Sequence, residues 1–181
     1  MRWGKAFLNG MFSGLRLGLA LVVVAALAIG PAFAVDPLPA PTGPVILTVS
    51  GNIEVSNSEQ GAQFDREMLY ALGLSEVRTT TAWTDGLQVF EGVLLRDVLA
   101  RVGASGSILT ATAINDYVAP IPLEEADRYD VLLAAIMNGV QMEVRDRGPL
   151  WIVYPREDHR ELQEPQFNDR WVWQLREINV Q

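Results

Sequence analysis

The sequence predicts an α+β fold of mixed, mostly antiparallel sheets with a few short helices. Three observations carry this. Short β-branched or alternating runs outnumber helical ones. Turn dipeptides such as Asn115-Asp116 and Asn138-Gly139 separate neighbouring runs, which favours hairpins over crossovers. No Gly-rich loop follows a strand in the phosphate-cradling pattern, so a doubly wound nucleotide fold is excluded.

The first 34 residues read as a signal rather than as fold. Arg2, Lys5 and Arg16 make a basic start, Leu17 to Ile29 is an apolar run of 13 residues, and Ala32-Phe33-Ala34 is a small-residue cleavage pattern. As a helix that run would reach only about 20 Å, short of a bilayer core of about 30 Å. A periplasmic or secreted protein cleaved after Ala34, with no membrane span left, is expected. Residues 35–44 carry Pro37, Pro39, Pro41 and Pro44 and read as an extended lead-in. Residues 45–181 are expected to form a single domain.

Within it, Val45 to Val49 is a β-branched strand, with Ile53 to Val55 a candidate return. Phe64, Met68, Leu69 and Leu72 have helical spacing, closed by Gly73. Val77 to Trp83 is a Thr-rich strand turned by Thr84-Asp85-Gly86 into Leu87 to Phe90. Val93 to Val102 is a helix ended by Gly103. Ile108 to Ala113 and Tyr117 to Ile121 pair across a turn. Pro122 to Ala126 suits a helix start. Val131 to Met137, Leu150 to Tyr154 and Trp171 to Val180 are further strands.

Charge and composition exclude several functions. After residue 34 the chain holds 22 carboxylates and 11 arginines, with no lysine, for a net charge of −11. So negative a surface argues against nucleic acid or an anionic membrane as partner. With no cysteine there is no disulfide, thiolate nucleophile or thiolate metal ligand. The single histidine, His159, lies in a polar run and reads as part of a solvated loop.

Several stretches together resemble the molybdopterin-binding oxidoreductase domains of the sulfite oxidase type. They are "FEGVLLRDVLARVG" (Phe90 to Gly103), "DYVAPIPLEEA" (Asp116 to Ala126) and "DVLLAAIMNGVQMEVRDRGPLWIVYP" (Asp130 to Pro155), with weaker matches at Leu47 to Ile53, Val77 to Trp83 and the chain end. The resemblance implies the sulfite-oxidase-like fold over most of residues 45–181. It also implies a molybdenum held by molybdopterin and one cysteine thiolate, and here the sequence departs. The cysteine is expected within Thr80 to Trp83, with Ala82 the best candidate position. Trp151 stands where the family's arginine is expected. In place of a basic phosphate-gripping segment, residues 156–170 carry Glu157, Asp158, Glu161, Glu164 and Asp169. Molybdopterin is therefore implied by the resemblance only, and no cofactor is expected from the residues.

The candidate ligand-binding residues are Thr80, Thr81, Ala82, Trp83, Asn115, Asp116, Tyr117, Arg145, Arg147, Gly148 and Pro149, from segments that approach one another in the family fold. No metal ligand is assigned. Tyr117 is the catalytic candidate if the protein is active, because a phenol there can donate to an oxyanion. Arg145 and Arg147, one residue apart, would share a strand face as an anion platform, or else pair with Glu143, Asp146 or the acidic segment. Three functions follow: a protein binding a small anionic ligand or a periplasmic protein partner without molybdenum catalysis; a molybdopterin oxidoreductase with a non-cysteine metal environment; or an accessory or sensor subunit.

Overall fold

The structure, a computed structural model, describes residues 36–181. The signal-peptide reading falls on residues 1–34, outside the described residues. Two five-stranded sheets make the domain. The first contains β1 (Leu47–Gly51), β2 (Ala62–Phe64), β5 (Ile108–Ala113), β6 (Val118–Pro122) and β10 (Leu175–Val180), in the order β2-β1-β10-β5-β6. The second contains β3 (Ser75–Thr81), β4 (Thr84–Leu94), β7 (Leu132–Met137), β8 (Val140–Gln141) and β9 (Trp151–Val153). Its order is β3-β4-β7-β8, with β9 also pairing β7. Every pairing is antiparallel except β1 with β10. Three short helices, α1 (Arg66–Tyr70), α2 (Leu95–Arg101) and α3 (Glu125–Arg128), complete the α+β class.

The element boundaries differ from the sequence reading for local reasons. Phe64 belongs to β2, because Asp65 caps α1 by accepting from Met68 N at 2.9 Å and so starts the helix after it. Residues 53–55 form no return strand. The N–H groups of Glu54 and Val55 donate to Val102 O, and β2 takes the place beside β1. The β3–β4 turn falls at Ala82-Trp83, since Thr81 already pairs with Thr84. β4 then runs through Val93 and Leu94, which face Leu133 and Leu132 across the sheet instead of opening a helix. A continuous apolar run suits either a buried strand or a buried helix, and here strand pairing decides. A β-carbon on Gly92, at the bulge in β4, would lie 2.0 Å from Leu133 O. At the end of α2, Gly103 takes φ +61°, and Ala104 N closes the turn on Leu99 O.

The proline-rich lead-in is tied down rather than free. Thr42 N and Gly43 N each donate to Asp65 Oδ2 at 2.8 Å, Arg101 donates to Pro37 O, and Leu38 is buried. Buried side chains of both sheets form one continuous apolar cluster, with Trp151, Tyr154, Phe64 and Phe90 its largest fully buried members. The stretch before β10 stitches the sheets together. Ile152 N donates to Val172 O, Leu175 N to Leu150 O, and Ile114 N to Gln174 O. Trp173 also bridges Trp151. The regular strand therefore begins at Leu175 and not at Trp171.

Candidate functional site

At this seam four of the chain's five tryptophans meet. The Trp83 ring lies 5.9 Å from Trp171, 5.4 Å from Trp173 and 6.3 Å from Trp151, at interplanar angles of 53°, 80° and 61°. Trp151 is fully buried and packs edge-on to Phe90 at 5.3 Å. Trp83 and Trp173 are only half-buried. The sequence makes this corner with a hairpin tip that carries Trp83 and with the alternation Trp171-Val172-Trp173, which places two indoles on one side of an extended chain.

Two hollows flank the corner, and Trp173 lines both. The smaller, about 280 Å³, is lined by Trp83, Ala113, Asn115, Tyr117, Asn168, Asp169, Trp171 and Trp173. The larger and more open, about 700 Å³, includes Arg145, Arg147, Met142 and Gln174. The predicted residues thus divide. Trp83, Asn115 and Tyr117 share the smaller hollow, while Arg145 and Arg147 face the larger.

The arginine platform fails on geometry. Val144–Asp146 is a 3-10 turn and Arg147 has φ +77°, so the two side chains do not alternate on a strand. Arg145 pairs with Glu143 and Asp146, each at 3.3 Å, and is well exposed. The Arg147 guanidinium sits 5.2 Å over the Trp151 ring and donates to Trp83 O at 3.1 Å. Gly148 is buried, its N–H donating to Glu143 O, and Pro149 follows a cis bond. Asp116 points away to Arg176 at 2.8 Å. Ala82 is exposed on the hairpin tip and lines neither hollow. The inward positions of β3 are Val77, Thr79 and Thr81. Thr80 gives its hydroxyl to Glu157 at 2.6 Å and its N–H at 3.1 Å, bonds that hold the Glu157 carboxyl below its usual range. The Tyr117 hydroxyl donates to Asp169 O at 2.9 Å; burial, and then the Asp169 charge, raises its pKa. His159 is not free in solvent but packs edge-on to Tyr129 at 5.0 Å.

Sequence reading missed one polar cluster. Glu125, only 6% exposed, accepts from the fully buried Tyr154 hydroxyl at 2.9 Å and pairs with Arg170. Burial, and then the Glu125 charge, pushes the Tyr154 phenol well above its usual pKa. Arg170 also lies 4.8 Å over the Phe167 ring. The cluster fixes the 3-10 turn Pro165–Arg170, and with it Asn168, Asp169 and Trp171 of the hollow's wall. One weak signal was local: Glu125 follows Pro122 and Leu123 within three residues and directly precedes Ala126.

These features define an α+β domain with an aromatic-walled hollow at the seam of two sheets. The same architecture occurs in the crystal structure of the sulfane dehydrogenase SoxCD from Paracoccus pantotrophus. The TM-score is 0.55 at 21% identity, over 74% of this chain and 37% of that one. This chain spans just over a third of that protein's length, and the likeness concerns the fold alone. The family model for the oxidoreductase molybdopterin binding domain matches residues 58–157, more than half of the sequence, and the chain belongs to that family. No curated protein matches the sequence.

The family's thiolate-held molybdenum can be tested against the donors present. The chain has no cysteine, and among the described residues no three His, Cys, Asp or Glu side chains are placed to hold a metal ion. The inward hydroxyls of β3 are hard donors already engaged. Thr79 Oγ1 accepts from Arg156 N at 3.0 Å, and Thr81 Oγ1 bonds Thr84 Oγ1 at 2.8 Å. A soft thiolate site cannot be assembled from these groups. The position of the family's expected arginine is the fully buried Trp151. The residues therefore do not fit a thiolate-ligated molybdenum centre, although membership keeps molybdopterin open as a ligand class of the fold.

Proposed function

We propose that this chain is an exported member of the molybdopterin-binding oxidoreductase family that binds a ligand at the tryptophan corner without molybdenum catalysis. One observation carries the reading: the seam holds a hollow walled by Trp83, Trp171, Trp173 and Tyr117 in a chain that has no cysteine to hold a metal. Small-ligand sites are concave, mostly aromatic or apolar, and carry a few polar groups; here Asn115, Asn168 and Asp169 supply these. Export rests on the basic, apolar and small-residue order of residues 1–34.

A fragment screen by NMR on indole-labelled protein tests the proposal. Hits should shift the indole N–H resonances of Trp83, Trp171 and Trp173. Hits confined to the Arg145–Arg147 hollow would remove it. An accessory role bound to a protein partner is the second reading, favoured by Ile114, Tyr117 and Val118. These are large apolar residues, 41–51% exposed, in the chain around the hollow's Asn115 and Tyr117.

A further inference from the structure

The tryptophan corner already accepts a cation on one side. The Arg147 guanidinium lies over Trp151 and donates to the Trp83 carbonyl. On the other side, the smaller hollow presents the same ring chemistry with no arginine among its lining residues. Its only charged side chain is Asp169. Tyr117 has spent its proton on the Asp169 carbonyl, so its oxygen faces a ligand as an acceptor. An anion would thus meet a carboxylate with no basic side chain in the lining to balance it.

We infer that the smaller hollow binds a small organic cation, an ammonium or guanidinium, between the indole faces of Trp83, Trp171 and Trp173 and the carboxylate of Asp169. The inference rests on the reading of this hollow as a ligand site and names the ligand's class. Indole is the strongest of the aromatic side chains at attracting a cation to its face. Rings inclined at 53° and 80° about Trp83 form a corner instead of a flat stack, so a compact cation can meet more than one face. The net charge of −11 over residues 35–181 raises the local concentration of cations and lowers that of anions. At about 280 Å³ the hollow lies just below the range of about 300–1,000 Å³ typical of drug-sized ligands, which limits the ligand to a handful of heavy atoms.

Choline, methylguanidinium, acetate and the neutral choline isostere 3,3-dimethyl-1-butanol, titrated against indole-labelled full-length mature protein, make the test. At least one of the two cations should shift the Trp83, Trp171 and Trp173 resonances saturably. It should bind at least about tenfold tighter than the isostere. Asp169→Asn, which keeps the backbone carbonyl that Tyr117 uses, should weaken that cation at least threefold, on the order of an exposed ion pair, and leave the isostere unchanged. Equal binding of cation and isostere, or preferred binding of acetate at these resonances, would overturn the cation assignment and leave the hollow a ligand site. If no probe moves these resonances and the fragment screen also finds no hit there, both the assignment and the underlying reading fail.

Discussion

Replacing Arg170 with methionine isolates the buried polar cluster that holds the hollow's wall. Glu125 has two partners, the Tyr154 hydroxyl and the Arg170 guanidinium, in a site that leaves the residue 6% exposed. Without Arg170 the carboxylate keeps one neutral donor, and an uncompensated buried charge costs about 3–5 kcal/mol. The Arg170 side chain is 24% exposed, which moves the expectation to the lower end, about 3 kcal/mol. For a domain of this size that lowers Tm by about 6–12 °C. Tyr154→Phe removes only a hydrogen bond to a charged group and should cost about 1.5–3 kcal/mol. Urea unfolding at neutral pH measures both. Adding Glu125→Gln to Arg170→Met neutralises the stranded charge and should recover part of the loss. A single Arg170→Met variant within about 1 kcal/mol of the parent, or no recovery in the double variant, would refute the reasoning.

Other perturbations have equally definite outcomes. Gly92→Val drives a side chain into the β7 backbone, 2.0 Å from Leu133 O at the first atom; it should cost more than about 4 kcal/mol or abolish soluble expression. Arg147→Gln removes the stacking on Trp151 and the bond to Trp83 O. It should cost about 1–2 kcal/mol in urea and alter tryptophan fluorescence, and Arg147→Lys should recover less than half of this because an ammonium lacks the planar face. Asp65 accepts from Met68, Gly43 and Thr42, and these bonds lower its pKa below the usual 3.8. A depressed folded pKa gives stability that is present above the unfolded value and lost as pH falls through the folded one. Between about pH 5 and pH 2 the Tm of the parent should fall more steeply than that of Asp65→Asn.

Much of the fold was legible because the signals were local. The run Ile108–Ala113, the Asn138-Gly139 turn and the Gly103 helix stop all match the structure, since β-branching and positive-φ glycine act over a few residues. β4 was misread beyond Phe90 because its apolar run is decided by pairing with β7, which lies about forty residues away. The site was half legible. Trp83, Asn115 and Tyr117 do come together, and Asn168, Asp169 and Trp171 join them from a turn whose Arg170 pairs with Glu125 and whose Asp169 carbonyl accepts from Tyr117. No spacing rule connects residues 125, 154 and 170. Arg145 and Arg147 misled because alternation implies a shared face only on a strand, and a 3-10 turn breaks it.

This chain, with no cysteine, is expected to carry no molybdenum centre. The most direct measurement is the molybdenum and pterin content of the protein purified from the periplasm of a host that makes the cofactor and loads other family members. Far less than one molybdenum per chain, with no pterin fluorescence after denaturation, is the predicted result. Stoichiometric molybdenum with released pterin would contradict it.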